Sequence, residues 1–309
     1  MNEAPKLSYV ALVSRDVPAV TKVLEKVLGL SCTHLAFRGE ESVPVVAVGE
    51  AALVLCRPGD ALVDGETRCG VHHIGLSVGD VDATAKHLAA TGIGTSDATH
   101  GPGGIRRIAL DPAHTVGVRT FVTKPLSIAR STSGLIERID HLGIASSSTQ
   151  EAIAAFTGKV GLPTESQQTD MEVETAIESF TSDKYGVVYH SRKPKILGGL
   201  RVAFLTAGDC ELEFLQNFDP AHSAEISHGA SGNTRQDQGA ITKYIATRGQ
   251  GLHHVALKSQ DIDGTLAAMA QAGCKMIDMK GRPGSRRALI GFIHPETFGG
   301  VLFHVVQRD

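Results

Sequence analysis

The stretch VHHIGLSVGDVDATAKHLAATGI, residues 71–93, returns later in the chain as LHHVALKSQDIDGTLAAMAQAGC, residues 252–274, with no insertion or deletion. Each copy begins with strand-like residues, continues through an acidic N-cap region into an amphipathic helix, and ends at a glycine. The shared positions include a double histidine, Leu76/Leu257, Asp80/Asp261, Asp82/Asp263, Thr84/Thr265, Ala89/Ala270 and Gly92/Gly273. The repeat therefore predicts a strand followed by a helix in each half of the chain.

Two weaker copies of the same pattern start at Leu7 and Ile139. After each of the four helices comes alternating apolar sequence broken by Gly or Pro, which is typical of three further strands. We therefore predict an α+β protein of four βαβββ modules. Residues 1–123 are expected to form an N-terminal domain of two degenerate modules, 124–138 a linker, and 139–309 a C-terminal domain of two modules.

The composition is that of a soluble globular protein, with 42% hydrophobic and 20% charged residues in 309. The formal net charge of −3 shows no basic excess, so nucleic acid is not an expected partner. No apolar run approaches the roughly 20 residues that span a bilayer, and the N-terminus has no signal-peptide pattern. We therefore expect a cytoplasmic protein without a membrane partner. The five cysteines have no zinc-site or redox spacing, which favours small core residues.

The double histidine raises the question of where the two rings point. Neighbouring side chains of a regular strand face opposite sides of the sheet, so His253 and His254 cannot both serve one site. One of them is expected to face the interior of the sheet and the other to face away.

Several motifs of the second half occur together: IDHLGIA from Ile139, CELEFL from Cys210, LHHVAL from Leu252, RPGSRRALIGFIHP from Arg282 and GGVLFHVV from Gly299. In combination they resemble the vicinal-oxygen-chelate superfamily, which includes glyoxalase I, methylmalonyl-CoA epimerase, extradiol dioxygenases and hydroxyphenylpyruvate dioxygenase. Residues 139–307 resemble methylmalonyl-CoA epimerase, whereas the N-terminal half matches only in module architecture. The resemblance implies four modules paired into two vicinal-oxygen-chelate domains, with sheets curled into cups.

In that superfamily four inward-facing side chains hold one divalent metal ion. Mapped by motif, these positions fall on His141, Glu213, His254 and His304. Imidazole and carboxylate ligands suit Zn, Co, Ni, Mn or Fe, so the identity of the metal stays open. A carboxylate between Leu212 and Phe214 also needs a compensating charge if it is buried, and a metal ion supplies one. In this mapping His254 faces the metal and His253 faces away.

The corresponding positions of the N-terminal domain read Tyr9, Val54, His73 and Phe121. This set cannot bind a metal well, so we expect that domain to be structural or to cover the substrate. His304 departs from the family pattern, which places Glu there. A neutral ligand leaves more positive charge at the metal, which favours an enolate-like or alkoxide oxygen. The same substitution leaves the base that moves the proton unassigned.

His190, in the insert that starts at Phe180, is a candidate for proton transfer, with a solvated surface loop as the alternative reading. The polar segment that starts at His222 and contains His228 is expected to be a loop over the mouth of the cup.

Three arginines lie close to a turn before an apolar strand, namely Arg282, Arg286 and Arg287. Such a cluster can bind a carboxylate or phosphate through charge-assisted hydrogen bonds, although a solvated face is an equal alternative. An anionic small-molecule substrate is therefore plausible.

The resemblance implies an enzyme, and our main expectation is a metal-dependent isomerase of the racemase or epimerase type. It would act through a metal-stabilised enolate on a carbonyl-containing small molecule. The alternative is an Fe(II)-dependent dioxygenase of the ring-cleaving or keto-acid type, because an N-terminal pair without metal ligands is the layout of ring-cleaving enzymes. A non-enzymatic ligand-binding protein is the third candidate. Four modules complete two cups within one chain, which leaves a homodimer open.

Overall fold

The computed structural model describes residues 3–37, 41–129, 134–218 and 240–308. In these ranges the chain forms two eight-stranded sheets, one from each half of the sequence, and a separate two-stranded sheet. Each large sheet is built from two βαβββ modules, which confirms the predicted fold class.

The N-terminal sheet has the strand order β2-β3-β4-β1-β5-β8-β7-β6. Its strands are β1 (Lys6–Val13), β2 (Cys32–Ala36), β3 (Ser42–Val48), β4 (Ala51–Cys56), β5 (Gly70–Ser77), β6 (Thr95–His100), β7 (Arg106–Leu110) and β8 (Thr120–Thr123). The first strands of the two modules, β1 and β5, pair antiparallel at the centre. Each of them also runs parallel to the last strand of its own module.

The C-terminal sheet repeats this plan in the order β10-β13-β14-β9-β15-β18-β17-β16. Its strands are β9 (Arg138–Ala145), β10 (Thr164–Glu174), β13 (Lys195–Ala207), β14 (Cys210–Phe218), β15 (Gly251–Lys258), β16 (Arg282–Pro283), β17 (Leu289–Ile293) and β18 (Leu302–Gln307). The insert between β10 and β13 forms the two-stranded sheet, with strands β11 (Ile177–Ser182) and β12 (Gly186–Ser191).

The described helices follow the first strand of each module or precede β15. They are α1 (Val17–Lys22), α2 (Val81–Ala90), α3 (Thr149–Ala155), α4 (Ala240–Arg248) and α5 (Ile262–Gln271). In the two strong repeats, the Asp80 side chain accepts a hydrogen bond from the backbone N–H of Ala83, and Asp261 accepts one from Gly264. These caps satisfy backbone donors at the start of α2 and α5, as the acidic N-cap pattern predicted.

Four β-bulges interrupt the two central strand pairs at equivalent places. The extra residues are Ser8 and His72 between β1 and β5, and Asp140 and His253 between β9 and β15. A bulge leaves two residues opposite one, which breaks the strict alternation of faces and bends the strand. The same irregularity therefore occurs in the first strand of every module.

The two halves pack on each other through a shared apolar core. One cluster of buried hydrophobic residues contains Leu12 and Leu24 of the first half together with Leu142 and Phe298 of the second. Backbone contacts add to this packing, because the Arg15 N–H donates to the Gly299 carbonyl over 3.0 Å.

The last strand of the N-terminal sheet ends at Thr123 and the first strand of the C-terminal sheet begins at Arg138. The predicted linker, 124–138, lies between these two strands. The domain boundaries at 123 and 139 stay a prediction. None of the helices in the described ranges has the length and apolar character to cross a membrane.

Candidate functional site

Four side chains converge inside the curl of the C-terminal sheet. They are the four positions mapped from the sequence: His141 on β9, Glu213 on β14, His254 on β15 and His304 on β18. The Nε2 atoms of His141 and His304 lie 3.1 Å apart, and Glu213 Oε2 lies 3.3 Å from His141 Nε2 and 3.7 Å from His254 Nε2. All four side chains are buried. These four residues are far apart in the sequence but meet at one point, because the strands that carry them are adjacent in the sheet.

The four side chains line a cavity of about 70 Å³. Its walls combine the aromatic rings of Phe204 and Phe292 with apolar and arginine side chains. A space of this size accommodates the reacting part of a small molecule, while the rest of a larger substrate has to lie outside the cavity.

Ligand atoms of His141, His254 and His304 all lie within 4.8 Å of one another, so these imidazoles could hold a metal ion. The donor atoms fit that role, because the buried Nε2 of His254 and Nδ1 of His304 have no hydrogen-bond partner in the described ranges. A buried polar atom without a partner is costly, and a cation would remove that cost. The Glu213 carboxylate beside them would supply an anionic ligand.

The bulges in the central strand pair place a second polar group behind two of these histidines. Asp140 is the extra residue of β9, and its Oδ2 lies 2.9 Å from His141 Nδ1. When His141 Nδ1–H donates to this carboxylate, the lone pair of Nε2 is directed into the cavity, which is the usual arrangement of a metal-bound histidine. Asp140 is itself held by Arg308, whose Nε donates to Oδ1 over 3.0 Å.

His253 is the extra residue of β15, and its Nδ1 lies 2.9 Å from Nδ1 of His254. His253 is not among the residues that line the cavity, but the bulge keeps its ring in contact with that of His254, which the expectation that it faces away from the metal did not include. A proton on Nδ1 of His254 can be donated to His253, which leaves Nε2 of His254 as the acceptor atom in the cavity. The ring of His253 packs edge-on against Tyr244, at a centroid distance of 4.6 Å.

A glycine on β9 makes room for this arrangement. A Cβ atom at Gly143 would overlap the imidazole ring of His254. Gly143 is also the backbone partner of both His254 and Glu213 in the adjacent strands. The absence of a side chain at this position thus allows two candidate ligands to approach each other across β9.

Burial and nearby charges set the protonation of the site. Burial, and then repulsion between the imidazoles, holds the pKa of His254 and His304 well below its ordinary value. Burial acts in the same direction on His141, but Glu213 and Asp140 together outweigh it and raise its pKa. Burial raises the pKa of Glu213, against the attraction of His141. His254 and His304 are therefore neutral near pH 7, the state in which imidazole binds metals.

In the N-terminal domain the side chain of an arginine fills the space that corresponds to the candidate metal site. Arg107 Nη1 lies 3.2 Å from the Tyr9 hydroxyl and 3.1 Å from His73 Nε2, and its guanidinium lies 3.9 Å from the centre of the Phe121 ring. Arg107 is only 4% exposed. Tyr9, His73 and Phe121 are equivalent to His141, His254 and His304, so a guanidinium takes the place where the C-terminal domain gathers its candidate ligands.

The three arginines proposed for substrate binding are separated in the structure. Arg282 and Arg286 line the cavity, whereas Arg287 is exposed and lines a different surface depression. Arg286 and Arg287 both have positive φ angles, 54° and 59°, and the sharp turn between them sends the two side chains apart. Substrate binding by Arg287 stays a prediction.

Arg286 is already held by protein groups. Its Nη1 and Nη2 atoms lie 2.9 Å from Glu165 and 2.5 Å from Glu211, and its guanidinium stacks 3.5 Å from the centre of the Phe204 ring. An anionic substrate would therefore compete with two carboxylates for this guanidinium.

His190 does not line the cavity. It lies on β12 in the separate two-stranded sheet, is exposed, and stacks on Phe180 at a centroid distance of 5.3 Å. The insert folds as a hairpin of its own, and the expectation that His190 transfers protons stays a prediction. The segment with His222 and His228, predicted to cover the cup, lies outside the described residues.

Sequence reasoning missed one buried carboxylate near the cavity. Asp170 on β10 is 2% exposed and accepts hydrogen bonds of 3.1 Å from Ser285, which lines the cavity, and from Gln168. Burial raises its pKa, against these two hydrogen bonds. Asp170 is one of four acidic residues in the polar strand TESQQTDMEVE, which reads as a solvated edge, so no signal in the sequence set it apart.

Comparisons with known proteins agree with this architecture. The family model described as Glyoxalase/Bleomycin resistance protein/Dioxygenase superfamily matches residues 140–292, and a second model with the same description matches residues 6–116. Among curated proteins, the uncharacterized protein YqjC of Bacillus subtilis is 23% identical over 172 residues, which are 56% of this chain and 93% of that protein.

Two solved structures illustrate the range of similar proteins. A triple mutant of 4-hydroxymandelate synthase from Streptomyces coelicolor is 13% identical and aligns over 99% of this chain and 94% of its own, with a TM-score of 0.62. A single-substitution variant of methylmalonyl-CoA epimerase from the same organism, in complex with 2-nitronate-propionyl-CoA, is 23% identical over 56% of this chain and 96% of its own, with a TM-score of 0.37. The first similarity extends over both sheets and shows a common fold.

Proposed function

The chain belongs to the glyoxalase/bleomycin resistance protein/dioxygenase superfamily, and on that premise we propose that it is a metal-dependent isomerase of the epimerase type. The observation that carries the proposal is the convergence of three buried imidazoles and one buried carboxylate in a cavity of the C-terminal sheet. The proposed substrate is a small molecule with an acidic C–H bond next to a carbonyl group.

The proposed ligands of a single divalent ion are His141, Glu213, His254 and His304. When bound, such an ion acts as a Lewis acid toward a carbonyl oxygen. The protein contributes the orientation of the ligands: Asp140 fixes the tautomer of His141, and His253 accepts a hydrogen bond from the Nδ1–H group of His254. The aromatic rings of Phe204 and Phe292 keep bulk water away from the ligand atoms.

Asp170 is the proposed proton acceptor. It is a buried carboxylate with a raised pKa, joined to the cavity wall through the hydroxyl group of Ser285. A carboxylate whose pKa is raised by burial is a stronger base than an exposed one, and such groups concentrate at functional sites. In this proposal the Ser285 hydroxyl takes the α-proton as it gives its own proton to Asp170, and the reverse transfer returns a proton to the carbon. The configuration is inverted when the planar enolate turns over in the cavity before the proton returns, so that its opposite face lies toward Ser285.

An anionic group on the substrate would be bound by Arg282 and Arg286. Both guanidinium groups lie at the cavity wall, and each is paired with carboxylates of the protein. Exchange of these partners for a carboxylate or phosphate of the substrate would open the cavity as the substrate binds.

A second candidate function is that of an Fe(II)-dependent dioxygenase. The specific observation that favours it is the face formed by His141, His254 and Glu213. The Nε2 atoms of His141 and His254 lie 3.3 and 3.7 Å from the same carboxylate oxygen, Oε2 of Glu213. Two histidines and one carboxylate are the ligand set of many non-haem iron oxygenases.

Two measurements on metal-loaded protein distinguish these functions. Incubation in D₂O with methylmalonyl-CoA or a small 2-hydroxy ketone, followed by NMR, reports deuterium entering at the α-carbon. An oxygen electrode reports O₂ uptake by the Fe(II)-loaded protein with a catechol or a 2-keto acid. Deuterium exchange that disappears on chelation supports the isomerase. Substrate-dependent O₂ uptake, or exchange that survives complete chelation, contradicts it.

A further inference from the structure

A second cavity lies between the two domains, away from the candidate metal ligands. Its volume is about 330 Å³, and residues of both halves of the chain line it. The charged and aromatic groups that matter for its chemistry are Arg68, Arg119, Arg248, Glu66, His72 and Tyr244. The proposed isomerase chemistry uses none of these side chains.

The charges of this cavity are unbalanced. Glu66 is its one carboxylate among the described lining residues, and it lies 3.4 Å from Arg68 and 3.8 Å from Arg119. Arg248, from the C-terminal domain, donates from Nη1 to the Cys69 carbonyl over 2.9 Å, which is a neutral partner. Three guanidinium groups and one carboxylate leave two positive charges facing one space.

The walls of the cavity are fixed by close packing between the domains. A Cβ atom at Gly117 would overlap the backbone carbonyl of Gln250 in the other domain. Gly251, with φ of 145°, packs against the carbonyl of Gly117 in the same way. Because the two backbones touch at these glycines, Arg119 and Arg248 are held on opposite sides of one cleft.

Buried side chains support the floor of the cavity. His72 is 7% exposed and accepts a hydrogen bond from Nη1 of Arg119, while its other ring nitrogen lies 2.7 Å from His73. On the opposite side, the Tyr244 hydroxyl donates to the Leu252 carbonyl over 2.7 Å, which leaves its ring at the cavity wall. The arginines of both domains are exposed at the mouth of the cleft, but each is hydrogen-bonded or paired to a group of the protein.

We propose that this cleft binds a small phosphate-bearing anion between the two domains. The two excess positive charges match the charge of a phosphate dianion, and guanidinium groups bind phosphate oxygens in pairs. The ring of Tyr244 offers an apolar surface to an organic group attached to the phosphate. Because the arginines come from different domains, the bound anion would also join the domains.

Isothermal titration calorimetry with inorganic phosphate and with phenyl phosphate tests the proposal on the full-length, chelator-treated protein. Binding of either probe is expected, and Arg119→Gln or Arg248→Gln should weaken it at least tenfold. Glu66→Gln, which removes the competing carboxylate, should tighten it several-fold. Arg106→Gln removes an exposed arginine that pairs with Asp82 elsewhere and should leave the affinity unchanged.

The two probes separate the sources of the phosphate group. Tighter binding of phenyl phosphate indicates an organic phosphate as ligand, and equal binding indicates inorganic phosphate. The proposal is overturned if neither probe binds, or if binding is insensitive to the substitutions at Arg119, Arg248 and Glu66. It is also overturned if Arg286→Gln alone abolishes binding, because the phosphate would then occupy the cavity with the candidate metal ligands.

Discussion

The Nε2 atoms of His304 and His141 lie 3.1 Å apart, although the two residues are separated by 163 positions in the chain. Two imidazole lone pairs at this distance repel each other unless a proton or a metal ion lies between them. The buried site is therefore expected to be less stable without a cation than with one.

Metal binding should stabilise the folded protein. Addition of Zn²⁺, Mn²⁺, Co²⁺, Ni²⁺ or anaerobic Fe²⁺ to chelator-treated protein should raise the Tm, because an ion that binds only the native state adds about 2.7 kcal/mol at one hundred times its Kd. His304→Ala should reduce this increase strongly. His34→Ala, which removes an exposed histidine of the other domain, is the matched control. If the increase is the same in all three proteins, the assignment of the ligand is wrong.

Asp140→Asn should weaken metal binding about 10–100-fold, because the variant keeps the shape of the side chain but loses the charge that orients His141. The affinity can be measured by titration against a chromophoric chelator. Asp82→Asn, at an exposed carboxylate of the N-terminal domain, should bind metal like the wild type. Unchanged affinity in Asp140→Asn would mean that the bulged carboxylate serves only to bind Arg308.

The module architecture could be predicted from the sequence because it depends on regular periodicity, whereas the four converging positions came from the resemblance to the vicinal-oxygen-chelate superfamily. The repeated helix caps at Asp80 and Asp261 marked the helices, and period-two alternation marked the strands; the motif mapping then placed His254 and His304 on the inner face. These regularities hold over whole strands, so a single sequence is sufficient to detect them.

The groups behind the ligands could not be predicted, because β-bulges break the alternation on which the prediction depended. The contact of His253 with His254 and that of Asp140 with His141 both result from one extra residue in a strand. Asp170 was missed for a different reason: its hydrogen-bond partner Ser285 is 115 residues away, and pairing at that distance leaves no local pattern.

Removal of the buried guanidinium in the N-terminal domain should destabilise the protein without changing its metal content. Arg107→Ala would leave the Tyr9 hydroxyl and His73 Nε2 without their partner and create a void beside Phe121. We expect a loss of roughly 2–4 kcal/mol in the free energy of unfolding, measured by urea denaturation. Arg106→Ala, at the exposed neighbouring position, should change stability by less than about 1 kcal/mol. A more stable Arg107→Ala protein would indicate that the buried charge is a net cost.

His72 should make stability depend on pH. Burial, and then the charge of Arg119, lowers its pKa from 6.5 to about 4 in the folded protein. Because the folded state disfavours the protonated ring, the contribution of His72 to the free energy of unfolding is fully present above pH 6.5 and is lost as the pH falls toward 4. It amounts to about 3 kcal/mol. The difference in unfolding free energy between wild type and His72→Gln, followed by urea denaturation, should therefore shrink over this range. A difference that stays constant from pH 7 to pH 4 would contradict the lowered pKa, and His34→Gln provides the exposed control.

Asp170→Asn should separate proton transfer from metal binding. The amide keeps the hydrogen bond from Ser285 but cannot accept the proton of that hydroxyl group, so deuterium exchange into a substrate should fall about 10²–10⁴-fold. Metal content should not change, because Asp170 is not one of the candidate ligands. Asp278→Asn is a useful comparison, because Asp278 contacts Arg282 at the cavity wall. A weaker ion pair to that arginine should change KM for the substrate and leave kcat for exchange unchanged. Full exchange activity in Asp170→Asn, with metal bound, would assign the base to another residue.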